Sequence, residues 1–176
     1  MKSLRLIFCA LLIASPLCAA EPATFEVGGI KFARPAEWAW IEVTSPMRKA
    51  QLKVPGTKAG EAADITFFHF GTGAGGDVQA NAQRWIGQFK DGHAASKIGW
   101  KEIGGTRVTI VTTEGTFNSG MPGGPSTPLE NQALLGAIIG KAEGNVFVKM
   151  TGPAELVKSS REKFMEFVTA ALSTPK

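Results

Sequence analysis

Residues 64–89 read DITFFHFGTGAGGDVQANAQRWIGQF, and within them a strand pattern changes to a helix pattern across a glycine-rich turn. The part before the glycines is aromatic and β-branched, which is typical of a central strand with both faces covered. After the glycines, Asp77 is predicted to be the N-cap of a helix that runs to Phe89. The apolar side chains of that helix recur at helical spacing, at positions 78, 82, 85, 86 and 89. The stretch therefore predicts a sheet with a helix packed on one face.

Short strand patterns joined by turns surround this stretch. Further strands are predicted at 24–27, 30–33, 38–43, 49–54, 100–103, 106–117, 132–139 and 145–150. A terminal helical segment starts at 152–155, and in it Phe164, Phe167 and Val168 form an apolar stripe. Most connections are too short to contain crossover helices. The order of elements therefore predicts an α+β domain with a mostly antiparallel β-sheet flanked by helices.

Residues 118–128 contain three glycines and three prolines, so we expect no regular structure there. This long segment carries Met121 and has two interpretations. It is either a mobile loop that binds a ligand or partner, or only the flexible tip of a hairpin.

The first 20 residues have the pattern of a secretory signal. Lys2 and Arg5 precede an apolar stretch at 6–14, which is too short to span a bilayer, and a small-residue cleavage site ends at Ala20. We therefore expect residues 1–20 to be a signal peptide and residues 21–176 to be a single periplasmic or secreted domain. Cleavage before Cys18 with attachment of a lipid is the alternative.

Composition excludes several classes of protein. A hydrophobic fraction of 44% with 19% charged residues excludes a disordered chain. Loss of Lys2 and Arg5 lowers the formal net charge from +4 to +2, and the remaining basic residues are scattered. No nucleic-acid partner and no stable membrane span are expected.

Residues 71–76 match the GxGxxG pattern of dinucleotide-binding turns. The chain has no repeated βαβ units, and Asp77 would place a carboxylate where the pyrophosphate has to lie. We therefore interpret the glycines as a tight turn that needs positive φ, and we expect no cofactor.

The residues needed for metal or nucleophilic chemistry are scarce. Both cysteines lie in the signal, and His69 and His93 are the only histidines, so no metal site is predicted. No GxSxG motif is present, and no catalytic residue is predicted. Asp64, Glu114 and Glu130 could meet at a strand end, and that is the basis of the alternative of a carboxylate-based hydrolase.

Polar side chains next to the glycine turn suggest a recognition surface. Its candidate residues are Gly73, Asn81 and Arg84, together with Met121 of the long loop. The competing interpretation makes Trp85 the core anchor of the helix and leaves Arg84 in solvent.

Four patterns resemble the PsbP-like fold, which is the fold of the extrinsic photosystem II subunit. They are Phe32-Ala33-Arg34-Pro35-x-x-Trp38, Arg84-Trp85-x-x-x-Phe89, the Gly104-Gly105 hairpin, and Phe164-x-x-Phe167. The chain also resembles a group of exported bacterial proteins with no assigned function. The resemblance implies an α/β/α sandwich from a family that mostly binds or scaffolds, and no functional residue carries over.

Together these observations predict a non-enzymatic binding or accessory domain of the cell envelope, monomeric, with a small ligand or an envelope protein as its partner. The alternative is a hydrolase that uses carboxylates on an envelope substrate.

Overall fold

The computed structural model describes residues 21–119 and 127–173. Its strands are β1 (Thr24–Val27), β2 (Ile30–Ala33), β3 (Ala39–Trp40), β4 (Arg48–Pro55), β5 (Ala62–His69), β6 (Phe89–Lys90), β7 (Lys97–Ile103), β8 (Thr106–Ser119), β9 (Thr127–Ile139) and β10 (Val146–Pro153). Its helices are α1 (Val78–Ile86), α2 (Ala154–Ser159) and α3 (Arg161–Ser173). In this part of the chain no helix is long and apolar enough to cross a membrane.

Eight strands form one antiparallel sheet in the order β3-β4-β5-β10-β9-β8-β6, and β7 also pairs with β8. The hairpin β1-β2 is separate from it. One face of the sheet carries α1, and the other carries α2, α3 and the hairpin. The predicted α+β class, with a mostly antiparallel sheet flanked by helices, is confirmed.

The face that carries α3 holds the larger core. In β4, Ala50, Leu52 and Val54 are buried while Lys53 is exposed, so alternation decides which side chains point inward. Above the strands, the ring centroid of Phe167 lies 5.2 Å from Trp38 and 5.3 Å from Phe32. The predicted apolar stripe of the terminal helix is thus confirmed at Phe167.

The opposite face is covered by α1. Asp77 caps this helix as predicted, because its carboxylate accepts a hydrogen bond from the backbone N–H of Ala80 at 2.9 Å. Trp85 is buried and lies directly on Gly136 of β9, where a Cβ atom would clash with the indole ring. Trp85 is therefore a core anchor, and the sheet accepts it because position 136 has no side chain.

We expect Gly136→Ala to lower the free energy of unfolding by about 1–3 kcal/mol, because the added methyl group would displace the Trp85 ring. Urea denaturation followed by tryptophan fluorescence measures the change. Gly99→Ala is the matched control, since a Cβ at Gly99 of β7 meets no atom within 4 Å. Equal stabilities of the two variants would contradict the close contact.

Several element boundaries differ from the sequence-based expectation. Helix α1 ends at Ile86, with Gly87 as C-cap, and Phe89 begins the short strand β6 by pairing with Phe117. The strand expected at 38–43 is only Ala39–Trp40. The terminal segment is two helices, separated at Ser160.

The expectation of irregular structure over 118–128 is wrong at both ends. Asn118 pairs with Pro128, and Ser119 pairs with Thr127, so the β8-β9 ladder continues past the predicted limit. Pro128 is the second residue of β9, near a strand end where a missing N–H group is tolerated. Met121 lies outside the described residues.

Candidate functional site

The side chains of Arg48, Arg84 and Lys149 converge on the α1 face of the sheet, and we call them the cation cluster. Arg48 begins β4, Arg84 lies in the last turn of α1, and Lys149 lies in β10. The antiparallel order of strands brings them together, because β10 pairs with β5 and β5 pairs with β4.

Lys149 is the least solvated member of the cluster. Its Nζ atom donates a hydrogen bond to Oε1 of Gln88 at 3.2 Å. Burial, together with the positive charges of Arg48 and Arg84, lowers the pKa of Lys149 to about 8. The charged form of Lys149 is therefore unfavourable at this position unless a negative charge lies nearby.

Neutral amides are the hydrogen-bond partners of the cluster. Arg48 donates to Oε1 of Gln51 at 2.6 Å, and Arg84 donates to Oδ1 of Asn81. Over residues 21–119 and 127–173, none of the three cations forms an ion pair with a carboxylate. The site thus presents three positive charges without bound counter-charges, which is an arrangement that attracts an anion.

A carboxylate lies one hydrogen bond away from the cluster. The Gln51 amide links the two, since its Nε2 atom donates to Oδ1 of Asp64 at 3.2 Å. Gln51 therefore stands between Arg48 and Asp64 and keeps the guanidinium oriented without neutralising it by a direct ion pair.

Asn81 connects the cluster to the glycine turn. It is 2% exposed, and its Nδ2 atom donates to the carbonyl oxygens of Gly75 at 2.6 Å and Asp77 at 2.8 Å. The same side chain accepts from Arg84 through Oδ1. Asn81 therefore fixes both the turn and the position of the Arg84 guanidinium.

The glycine turn has the backbone conformation that its sequence predicts. Gly71, Gly73, Gly75 and Gly76 all have positive φ, between 72° and 94°. Gly73 is exposed, with open space where a side chain would extend.

Of the predicted site residues, Asn81 and Arg84 are brought into direct contact, and Gly73 lies in the turn that Asn81 holds. Arg48 and Lys149 were missed by the sequence analysis. One signal for Lys149 was available, because it interrupts the apolar run Val146-Phe147-Val148-Lys149-Met150, all other members of which are buried.

The carboxylates proposed for hydrolysis are divided between two places. Glu114 and Glu130 line one depression, while Asp64 lies in β5 beside Gln51. Glu114 is paired with Lys158 at 2.9 Å. Among the described residues, no group of three or more His, Cys, Asp or Glu side chains is placed to hold a metal ion.

The architecture has counterparts among solved structures. The solution structure of the cyanobacterial protein CyanoP from Synechocystis sp. PCC 6803 superimposes with a TM-score of 0.53, at 8% identity, covering 89% of this chain and 96% of CyanoP. The chain has a PsbP-like fold. At this identity the similarity to PsbP-like proteins concerns the fold alone.

A second match is the crystal structure of PA94 from Pseudomonas aeruginosa, which is described as a protein of unknown function and a putative regulator. It aligns with a TM-score of 0.49 at 10% identity, over 87% of this chain and 97% of PA94. No protein-family model and no curated protein matches the sequence.

Proposed function

We propose that this chain is a non-enzymatic binding domain that acts outside the cytoplasm and holds an anionic group of its ligand at the cation cluster. The observation that carries the proposal is the convergence of Arg48, Arg84 and Lys149 with amide partners only. Export is supported by the signal pattern of residues 1–20.

An anion at this place would relieve an unfavourable arrangement of charge. The two exposed guanidinium groups and the Lys149 ammonium repel one another, and the burial of Lys149 weakens the screening of that repulsion by water. A sulfate, phosphate or carboxylate group would accept hydrogen bonds from the two guanidinium groups and reduce the repulsion among the three positive charges.

The arginines are suited to selecting the shape of that group. Arg84 is exposed and donates to Asn81, and Arg48 is exposed and donates to Gln51, so one amide orients each guanidinium group before a ligand arrives. Held donors lose less conformational freedom on binding than free surface side chains do. The proposal therefore assigns Asn81 and Gln51 to positioning and the three cations to contact with the ligand.

Sulfate is the probe for this site, because its own charge does not change in the relevant pH range. We expect Arg84→Gln and Arg48→Gln each to weaken sulfate binding by about tenfold, since each removes one charge-assisted hydrogen bond. Isothermal titration calorimetry at low ionic strength measures the affinity.

A second measurement, proton uptake, distinguishes sulfate binding at the cation cluster from nonspecific binding to surface charges. Bound sulfate favours the charged form of Lys149, so binding near pH 8 is expected to take up protons from the buffer. Lys31→Gln, which removes an exposed lysine of β2, is the matched control and keeps both the affinity and the proton uptake. Equal affinities of Arg84→Gln, Lys31→Gln and the unchanged chain would refute the proposal.

A further inference from the structure

A groove on the opposite face of the sheet lies between strands β7 and β8 on one side and helices α2 and α3 on the other, and we call it the β7–α3 groove. Its cavity volume is about 580 Å³, within the usual range for small-molecule sites. Its floor is apolar and includes Ile110, Leu135, Val157 and Met165.

The rim of the groove is basic. Lys97 and Lys101 of β7 lie on one side, and Lys158 and Arg161 lie on the other. Glu114 is the one carboxylate among the lining residues, and it forms a salt bridge with Lys158, with Oε2 and Nζ 2.9 Å apart.

The remaining rim cations have no such counter-charge. Lys97, Lys101 and Arg161 form no ion pair within the described part of the chain. A lysine on a surface is commonly only solvated, but here three unpaired cations border a cavity whose floor is hydrocarbon.

We propose that the β7–α3 groove binds a single-chain amphipathic anion, with its hydrocarbon tail on the apolar floor and its carboxylate or phosphate head at the basic rim. Charge complementarity selects this occupant. A small inorganic anion would leave the floor empty, and a neutral hydrocarbon would leave the three rim cations without a partner. The proposal is independent of the cation cluster, which lies on the other face of the sheet.

Gly99 provides a way to close the groove without disturbing the core. It lines the groove and pairs directly with Ile110, so a side chain at 99 would project to the same face as the Ile110 side chain. A Cβ at Gly99 meets no heavy atom within 4 Å, and its φ is not in the left-handed region. Larger side chains at this position would therefore occupy the space assigned to the tail.

Three probes separate the contributions of head and tail. Octanoate carries both, 1-octanol carries the tail alone, and acetate carries the head alone. We expect octanoate to bind at least about tenfold more tightly than either of the others, with amide NMR shifts at residues that line the groove. Equal binding of octanoate and octanol would exclude a role for the cations, and equal binding of octanoate and acetate would exclude a role for the floor.

Two sets of variants complete the test. Gly99→Ala, Gly99→Val and Gly99→Leu are expected to weaken octanoate binding progressively, reaching about tenfold or more at Leu, while sulfate binding at the cation cluster is retained. Lys101→Gln combined with Arg161→Gln removes two of the three unpaired rim cations and is expected to weaken octanoate binding by about tenfold, towards the affinity of octanol. Lys31→Gln is the charge control. Unchanged octanoate affinity in folded Gly99→Leu, or in the double variant, would overturn the proposal.

Discussion

Phe167→Ala is expected to lower the free energy of unfolding by about 3–5 kcal/mol, a large part of the stability of a domain of this size. Phe167 is 6% exposed and projects from α3 onto the β1-β2 hairpin and the sheet. Its ring contacts include Trp38 and Phe32, with centroids 5.2 Å and 5.3 Å away. Truncation would remove both the buried area and these ring contacts, and would leave a cavity at the junction of three elements.

Urea denaturation measures this loss, and Trp38 provides a local signal because its indole faces the truncated ring. Phe70→Ala is the matched control, since Phe70 is 41% exposed and its removal opens no enclosed cavity. We expect the control to cost about 1 kcal/mol or less. A loss at Phe167 no larger than that at Phe70 would mean that α3 does not depend on this contact.

The elements that could be predicted from the sequence are those whose signal is local. The alternation in β4 and the Asp77 cap of α1 depend on neighbouring residues, so both are visible in the sequence. Strand β6 was missed because Phe89 also fits the apolar spacing of the helix, and only its pairing with Phe117 ends the helical pattern earlier. Tertiary pairing here overrides a local preference.

The candidate sites were harder to predict because their residues are distant in the sequence. Arg84 was singled out by its neighbours in α1, but Arg48 and Lys149 reach it only through the strand order β4-β5-β10. The β7–α3 groove likewise collects basic residues from β7, α2 and α3 that look scattered along the chain. Charge patterning along a sequence therefore underestimates charge clustering across a sheet.

Lys149→Met is expected to raise the free energy of unfolding at pH 7 by up to about 3 kcal/mol relative to the unchanged chain. The cause is the pKa of Lys149, which is about 8 in the folded chain against an ordinary lysine value of 10.5. Below pH 8 the folded protein carries a charge that burial and the two arginines disfavour. Methionine has a similar length and places no charge there.

The sign of the pH dependence follows from the same two pKa values. Between about pH 8 and 10.5 the unfolded chain keeps the Lys149 proton and the folded chain loses it, so the unfolded state binds more protons. The stability of the unchanged chain therefore rises with pH through this window relative to Lys149→Met, and the advantage of the variant disappears near its upper end. Urea denaturation of both proteins across the window measures the difference, in which the titration of all other groups cancels.

Added sulfate tests whether this effect on stability arises at the proposed anion site. A bound anion would compensate the charge of Lys149, so added sulfate should stabilise the unchanged chain more than Lys149→Met at pH 7 and reduce the difference between them. Lys31→Met controls for the loss of one positive charge from an exposed strand and should respond to sulfate as the unchanged chain does. A difference that is independent of both pH and sulfate would place the Lys149 ammonium in solvent, and the cation cluster would then have no reason to hold an anion.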